Sequence, residues 1–213
     1  MRRFVIGIVV VLLFICSGFL GSGAAAFETG RIGLGIGGGI NFPMLDFSDQ
    51  SALAAAMGFG FTADCKYQLG NKLAVFGSYN YRFFDTDFLE PPTDYRGGYG
   101  KYRFHNFSLG PRIYFAEEVP CSFMDVGLGA YLPYFYIPGE ISDEGILPDD
   151  MVFGVNVGYG WHTDKIDISL RYHLFKTDSQ VIRGVIGSPD IVTPEYFIHY
   201  FTFDAVMNLI PDE

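Results

Sequence analysis

Four groups of residues have types and spacings that chemistry would use. Gly33-Leu-Gly35-Ile-Gly37-Gly38 matches the G-x-G-x-x-G pattern that cradles a dinucleotide pyrophosphate. That use needs the glycines to open a helix inside a βαβ unit, and no helical periodicity follows them, so no cofactor is expected. His105 and Ser108 are the types of a general base and a nucleophile. Their spacing of three puts them on opposite faces of a strand. No Gly-x-Ser-x-Gly elbow occurs either, and an enzyme is not expected. Cys65 and Cys121 fall on non-neighbouring strands with opposite facing, which predicts two free thiols despite an exported setting. Asp143, Glu144, Asp149 and Asp150 cluster without the spacing of a calcium loop. They read as solvating charge, and no metal site is expected.

A larger set of charges makes sense only inside a closed sheet. Asp64, Lys66, Arg82, Arg112, Asp125, His162, Asp167, Arg171 and Asp204 fall on the polar faces of segments whose other face is apolar. Arg31, Asn80, Asn156, His173 and Asn208 are read on the same side. Counting from the short turns sets Arg112 opposite Asp125, and His162 opposite Asp167, on neighbouring strands. These residues are expected to form a polar network in a lumen, with no catalytic, cofactor or metal role.

The elements that must position them follow a period of two. From Val152 to Trp161 the large residues Phe153, Val155, Val157, Tyr159 and Trp161 alternate with Gly, Asn and Gly. Beyond Asp164-Lys165, Ile166, Ile168, Leu170, Tyr172 and Leu174 alternate with Asp167, Ser169, Arg171 and His173. The bulky face of this hairpin is the one that needs an apolar surrounding. The same test yields eight segments of the ~9 to 11 residues that a tilted membrane strand needs. Pro111 interrupts the fourth and suggests a bulge there. Short connections (70–72, 116–120, 164–165) alternate strictly with long ones (43–55, 85–100, 137–150, 177–195). That alternation predicts an all-β chain: an eight-stranded antiparallel up-and-down transmembrane β-barrel. Closure removes the sheet edges that lipid would not tolerate. Such a barrel is only wide enough for side chains to fill it. Glycines at 58, 60, 127, 129, 154, 158 and 160, with those of the first strand, would leave room for Arg and Tyr, so the lumen is expected to be plugged.

Residues 1–26 read as a cleaved signal peptide, with Arg2 and Arg3, an apolar run from Phe4 to Leu20, and a small-residue tail ending at Ala26. Residues 27–213 are then the barrel domain. They carry 12 Lys and Arg against 24 acids, which excludes nucleic acid as a partner. Since the interior charges nearly balance, the surplus acid lies in the long loops.

With its signal, alternating strands and Gly- and aromatic-rich segments such as Asp125-Val-Gly-Leu-Gly-Ala-Tyr131, the chain resembles the small outer-membrane β-barrels of Gram-negative bacteria, the OmpA/OmpX-like group. The chain departs from that group at its end, Leu209-Ile210-Pro211-Asp212-Glu213, where the family usually has an aromatic residue. The resemblance implies a monomer in the cell outer membrane, in contact with its lipid and lipopolysaccharide. It also implies a structural role, or an outside partner met through the loops. Small relatives resembling the OmpW group imply a second reading, a narrow transport or hydrophobic-ligand barrel. Others, acting on lipid A, imply a third.

Overall fold

Alternating burial along each segment selects strand over helix, and closure gives every strand two partners. In the computed structural model, which describes residues 29–48, 55–85, 101–136, 151–177, 180–182, 191–193 and 195–210, eight long strands form one closed antiparallel barrel. They are β1 (Ile32–Met44), β2 (Gly58–Gly70), β3 (Leu73–Asp85), β4 (Lys101–Tyr114), β5 (Cys121–Tyr136), β6 (Val152–His162), β7 (Ile166–Thr177) and β10 (Tyr196–Ile210). A 3-10 turn, η1 (Leu45–Phe47), follows β1, and β8 (Gln180–Ile182) pairs with β9 (Ile191–Thr193) in the last long connection. That short hairpin has no counterpart in the expected elements. Residues 1–26 and the acids Asp143, Glu144, Asp149 and Asp150 lie outside the described residues.

Register fixes the geometry of the barrel. Following paired residues from Leu34 on β1 through Cys65, Gly77, Leu109, Leu128, Val155, Leu174 and His199 returns to β1 at Met44, a shear of ten residues. Eight strands with that shear tilt by roughly 40° and enclose a radius of about 8 Å, given the usual rise and strand spacing.

The two faces are inverted relative to a soluble protein. Leu128 and Phe153 are 73% and 75% exposed on the outside, whereas Arg82, Arg112 and Arg171 are at most 1% exposed within. An outer wall of Leu, Phe, Val and Tyr with the charges inside is stable only against hydrocarbon. The strands run 11 to 16 residues, so that all but β6 exceed the expected length.

Two expectations need correction or closer definition. Arg31 is exposed and lies just before β1, at the end of the barrel; its carbonyl accepts from the Gln68 amide at 2.9 Å. Pro111 makes no bulge: Gly110 and Pro111 drop out of the β4–β5 ladder, but Leu109↔Leu128 and Arg112↔Asp125 keep one register. Pro111 points to the outside, where the lost donor is tolerated without lengthening the strand. The actual irregularities lie between Leu34 and Gly35 and between Gln68 and Gly70.

Gly33, Gly35, Gly37 and Gly39 leave most of the inward face of β1 without side chains, Asn41 being the buried exception. At Gly37 an added methyl would run into the backbone of Ala205 and Val206 on β10, so the close approach at this seam requires glycine.

Candidate functional site

The lumen is the site, and it is layered. At the end carrying the short turns, Asp167 gathers four donors. Lys66 Nζ lies at 3.3 Å, Arg112 Nη1 at 2.7 Å, His162 Nδ1 at 2.5 Å and Asn208 Nδ2 at 3.2 Å. Asp125 accepts from Arg112 Nε at 2.7 Å, Arg112 Nη2 at 2.9 Å and Arg171 Nη2 at 2.7 Å. The paired geometry with Arg112 follows from the register that sets the two residues opposite each other. Arg112 also lies 4.0 Å over the Phe123 ring. Six of the nine charged candidates thus form one connected network.

Arg82 and Asp204 form a second, separate pair, joined by two bonds of 2.7 and 2.8 Å. They stand on β3 and β10, so the guanidinium reaches over the bare inward faces of β1 and Gly60 to its partner. Thr62 and Asn80 also accept from Arg82 Nη2, at 2.9 and 2.7 Å, while the buried Nε has no partner among the described residues. The ninth candidate, Asp64, is buried in the same region, yet its Oδ1 accepts no hydrogen bond among the described residues. Because an ion pair in this dry setting needs every lone pair answered, removing one partner of a network pair costs ~3 to 5 kcal/mol.

Above the charges lies a neutral layer. Ser108 donates to Asn106 Oδ1 at 2.9 Å, and Asn156 Nδ2 donates to Ser108 at 2.9 Å. Ser108 therefore serves this inner layer, whereas His105 points outward to Tyr79, and the two never meet. His173 closes the layer, 3.1 Å from the Tyr131 hydroxyl and stacked on Tyr200 at 4.5 Å.

The end carrying the long loops is aromatic. Phe84, Tyr102, Phe104, Tyr131, Phe175 and Tyr200 are buried there together. Phe47 of η1 folds in from above, with ring centroids 4.9, 5.2 and 5.4 Å from Phe84, Tyr102 and Phe104. Leu45 takes φ +52 to make that return, a left-handed conformation that costs a Leu roughly 1–2 kcal/mol. At the opposite end, Val119 of a short turn packs on Tyr114, Cys121 and Phe123. At each end a side chain from outside the long strands thus joins the buried cluster.

Glycines hold the space these groups occupy. A methyl at Gly129 would stand 2.5 Å from the Tyr131 ring, and one at Gly158 would stand 3.2 Å from Arg171 Nε. Cys65 and Cys121 are free, the first on the outer face and the second inside.

The inward aromatics and the two covering residues, Phe47 and Val119, escape a reading of the sequence. Where Phe83 and Phe84 are adjacent, both faces are apolar and the period of two is hidden. A loop residue carries no periodicity at all.

No protein-family model matches the chain, and no curated protein matches it significantly in sequence. Solved structures do match. Outer membrane protein OprG from Pseudomonas aeruginosa is 11% identical, with 86% of this chain and 95% of that one aligned at a TM-score of 0.50. Neisserial surface protein A is 13% identical over 88% and 98% of the two chains, at 0.49. The attachment invasion locus protein Ail of Yersinia pestis, solved with the heparin analogue sucrose octasulfate, is 16% identical over 85% and 100%, at 0.42. At these identities the likeness concerns fold alone, and it rests on OprG together with the strand count, the closure and the apolar outer wall. The chain has the fold of a small eight-stranded outer-membrane β-barrel.

Proposed function

We propose that this chain is a non-enzymatic integral protein of the outer membrane, closed to ions, that acts through structure or through its acidic loops. What supports the reading is the packing of the lumen, with an ionic network toward one end, an aromatic cluster toward the other, and Val119 and Phe47 packed against the two ends. With a barrel this narrow, those side chains leave no room for a hydrated ion. The long-loop end then faces outside and the short turns face the periplasm, as in barrels of this kind. Residues 1–26 direct export. Outer-leaflet lipid, lipopolysaccharide included, surrounds a single copy of the barrel, and any outside partner meets the loops.

Planar-bilayer recordings test this. Little or no steady conductance is expected, and large, reproducible channels would overturn the closed reading. The aromatic outer half of the lumen supports a second reading, a site for a small hydrophobic molecule. That reading requires vesicles carrying the protein to take up an aromatic hydrocarbon faster than empty ones. Against a lipid A enzyme stands the separation of His105 from Ser108 by the barrel wall.

A further inference from the structure

Among the nine charged candidates of the lumen, eight are held by direct contacts. Lys66, Arg82, Arg112, Asp125, His162, Asp167, Arg171 and Asp204 each reach an ionisable partner within 3.3 Å. Asp64 reaches none among the described residues, although it is only 6% exposed and its Oδ1 is fully enclosed. A carboxylate withdrawn from water and given no donor is among the costliest arrangements a fold can hold. Something other than a protein group must answer it.

The surroundings of Asp64 supply the other half of a bond. Arg171 donates from Nη2 to Asp125, while its Nε is buried without a partner among the described residues. Asp64 and Arg171 each stand among the principal charges acting on the other, yet no direct ion pair joins them. Ser78, directly across the ladder from Asp64, accepts from Asn80 Nδ2 at 3.2 Å, and its own hydroxyl hydrogen has no acceptor among the described residues. Room is present as well. The ladder neighbour of Asp64 on β1 is Gly35, and that of Arg171 on β6 is Gly158, neither with a side chain.

We propose that an ordered water molecule is built into this gap, accepting from Arg171 Nε–H and the Ser78 hydroxyl and donating to Asp64 Oδ1. Three bonds are the usual complement of a buried water. The chemistry selects water over an ion. Four acids and four Lys and Arg residues already balance among the buried described residues of the lumen, and a cation would face Arg171 while an anion would face Asp64. Water alone both accepts and donates. Through it the ninth charge joins the network of Arg112 and Asp125. A single enclosed water makes no path for ions, so the site is compatible with a closed lumen.

Water-to-protein cross-relaxation in nanodiscs, read on 15N-labelled arginine, tests this. A dipolar contact between water and the Nε–H of Arg171 is expected, whereas the Nε–H of Arg112, bonded directly to Asp125, should show none. The sign of the rotating-frame signal separates such a contact from exchange. Asp64→Leu removes the acceptor and fills the gap, and should abolish the Arg171 contact; Asp64→Asn keeps an acceptor oxygen and should retain it. Absence of the contact in the native chain, an equal contact at Arg112, or full persistence in a folded Asp64→Leu overturns the proposal. If Asp64→Leu does not fold, the comparison of Arg171 with Arg112 in the native chain decides alone.

Discussion

Asp125 ties the two buried arginines of the network together, since among the described residues it alone accepts from both Arg112 and Arg171, and it is fully buried. Asp125→Ala takes from Arg171 its carboxylate partner and leaves Arg112 with Asp167 alone, and a loss of ~3 to 5 kcal/mol is expected in urea unfolding in detergent. With Arg112→Ala and the double variant the cycle should give a coupling of roughly 1–3 kcal/mol. A coupling near zero would mean that the 2.7 Å contact contributes nothing. Glycine is a second residue-scale device. Gly129→Ala pushes against the Tyr131 ring, itself stacked on Phe175 at 4.4 Å, so the ring has nowhere to turn. A loss of about 1–3 kcal/mol is expected from such overpacking, read from the same unfolding curves.

Among the elements, η1 carries the ring of Phe47 into the aromatic cluster at the long-loop end. Its hold is slender: the Ala55 amide donates to the Phe47 carbonyl at 2.8 Å, and the rest is ring packing. Phe47→Ala removes a fully buried ring and should cost about 3–5 kcal/mol. It should also raise ion leakage in planar bilayers, whereas an unchanged recording would place the barrier deeper, at the charges. The eight strands were legible in the sequence because one face of each is bulky and the other small or polar, as in Phe153 to Trp161. So was the opposition of Arg112 and Asp125, since a short turn fixes the register that follows it. What stayed hidden has physical reasons. Where both faces are apolar, as at Phe83 and Phe84, alternation carries no signal. Phe47 lies beyond the last periodic residue, and its inward course depends on Leu45 taking a conformation that its type does not advertise. The Arg82–Asp204 contact joins strands that are not neighbours, so no local counting finds it.

At the scale of the whole molecule, closure satisfies the backbone of every long strand on both sides. Circular dichroism in micelles should therefore show β-structure that persists on strong heating. A spectrum dominated by helix would contradict the barrel.

The glycine-faced β1 has a consequence for how the barrel comes together. Its seam with β10 joins the two ends of the chain, for instance Gly39 with Asp204. Seven of the eight neighbouring strand pairs are closer in sequence, so the entropy of this loop closure falls on the last step. A strand whose inward face is mostly glycine can slide along its partner, because few side chains interlock to specify which residue meets which. Arg82 supplies what β1 lacks. By reaching over two strands to Asp204 it rewards one alignment of the seam, so a single ion pair acts as the latch that selects the final register of the closing barrel.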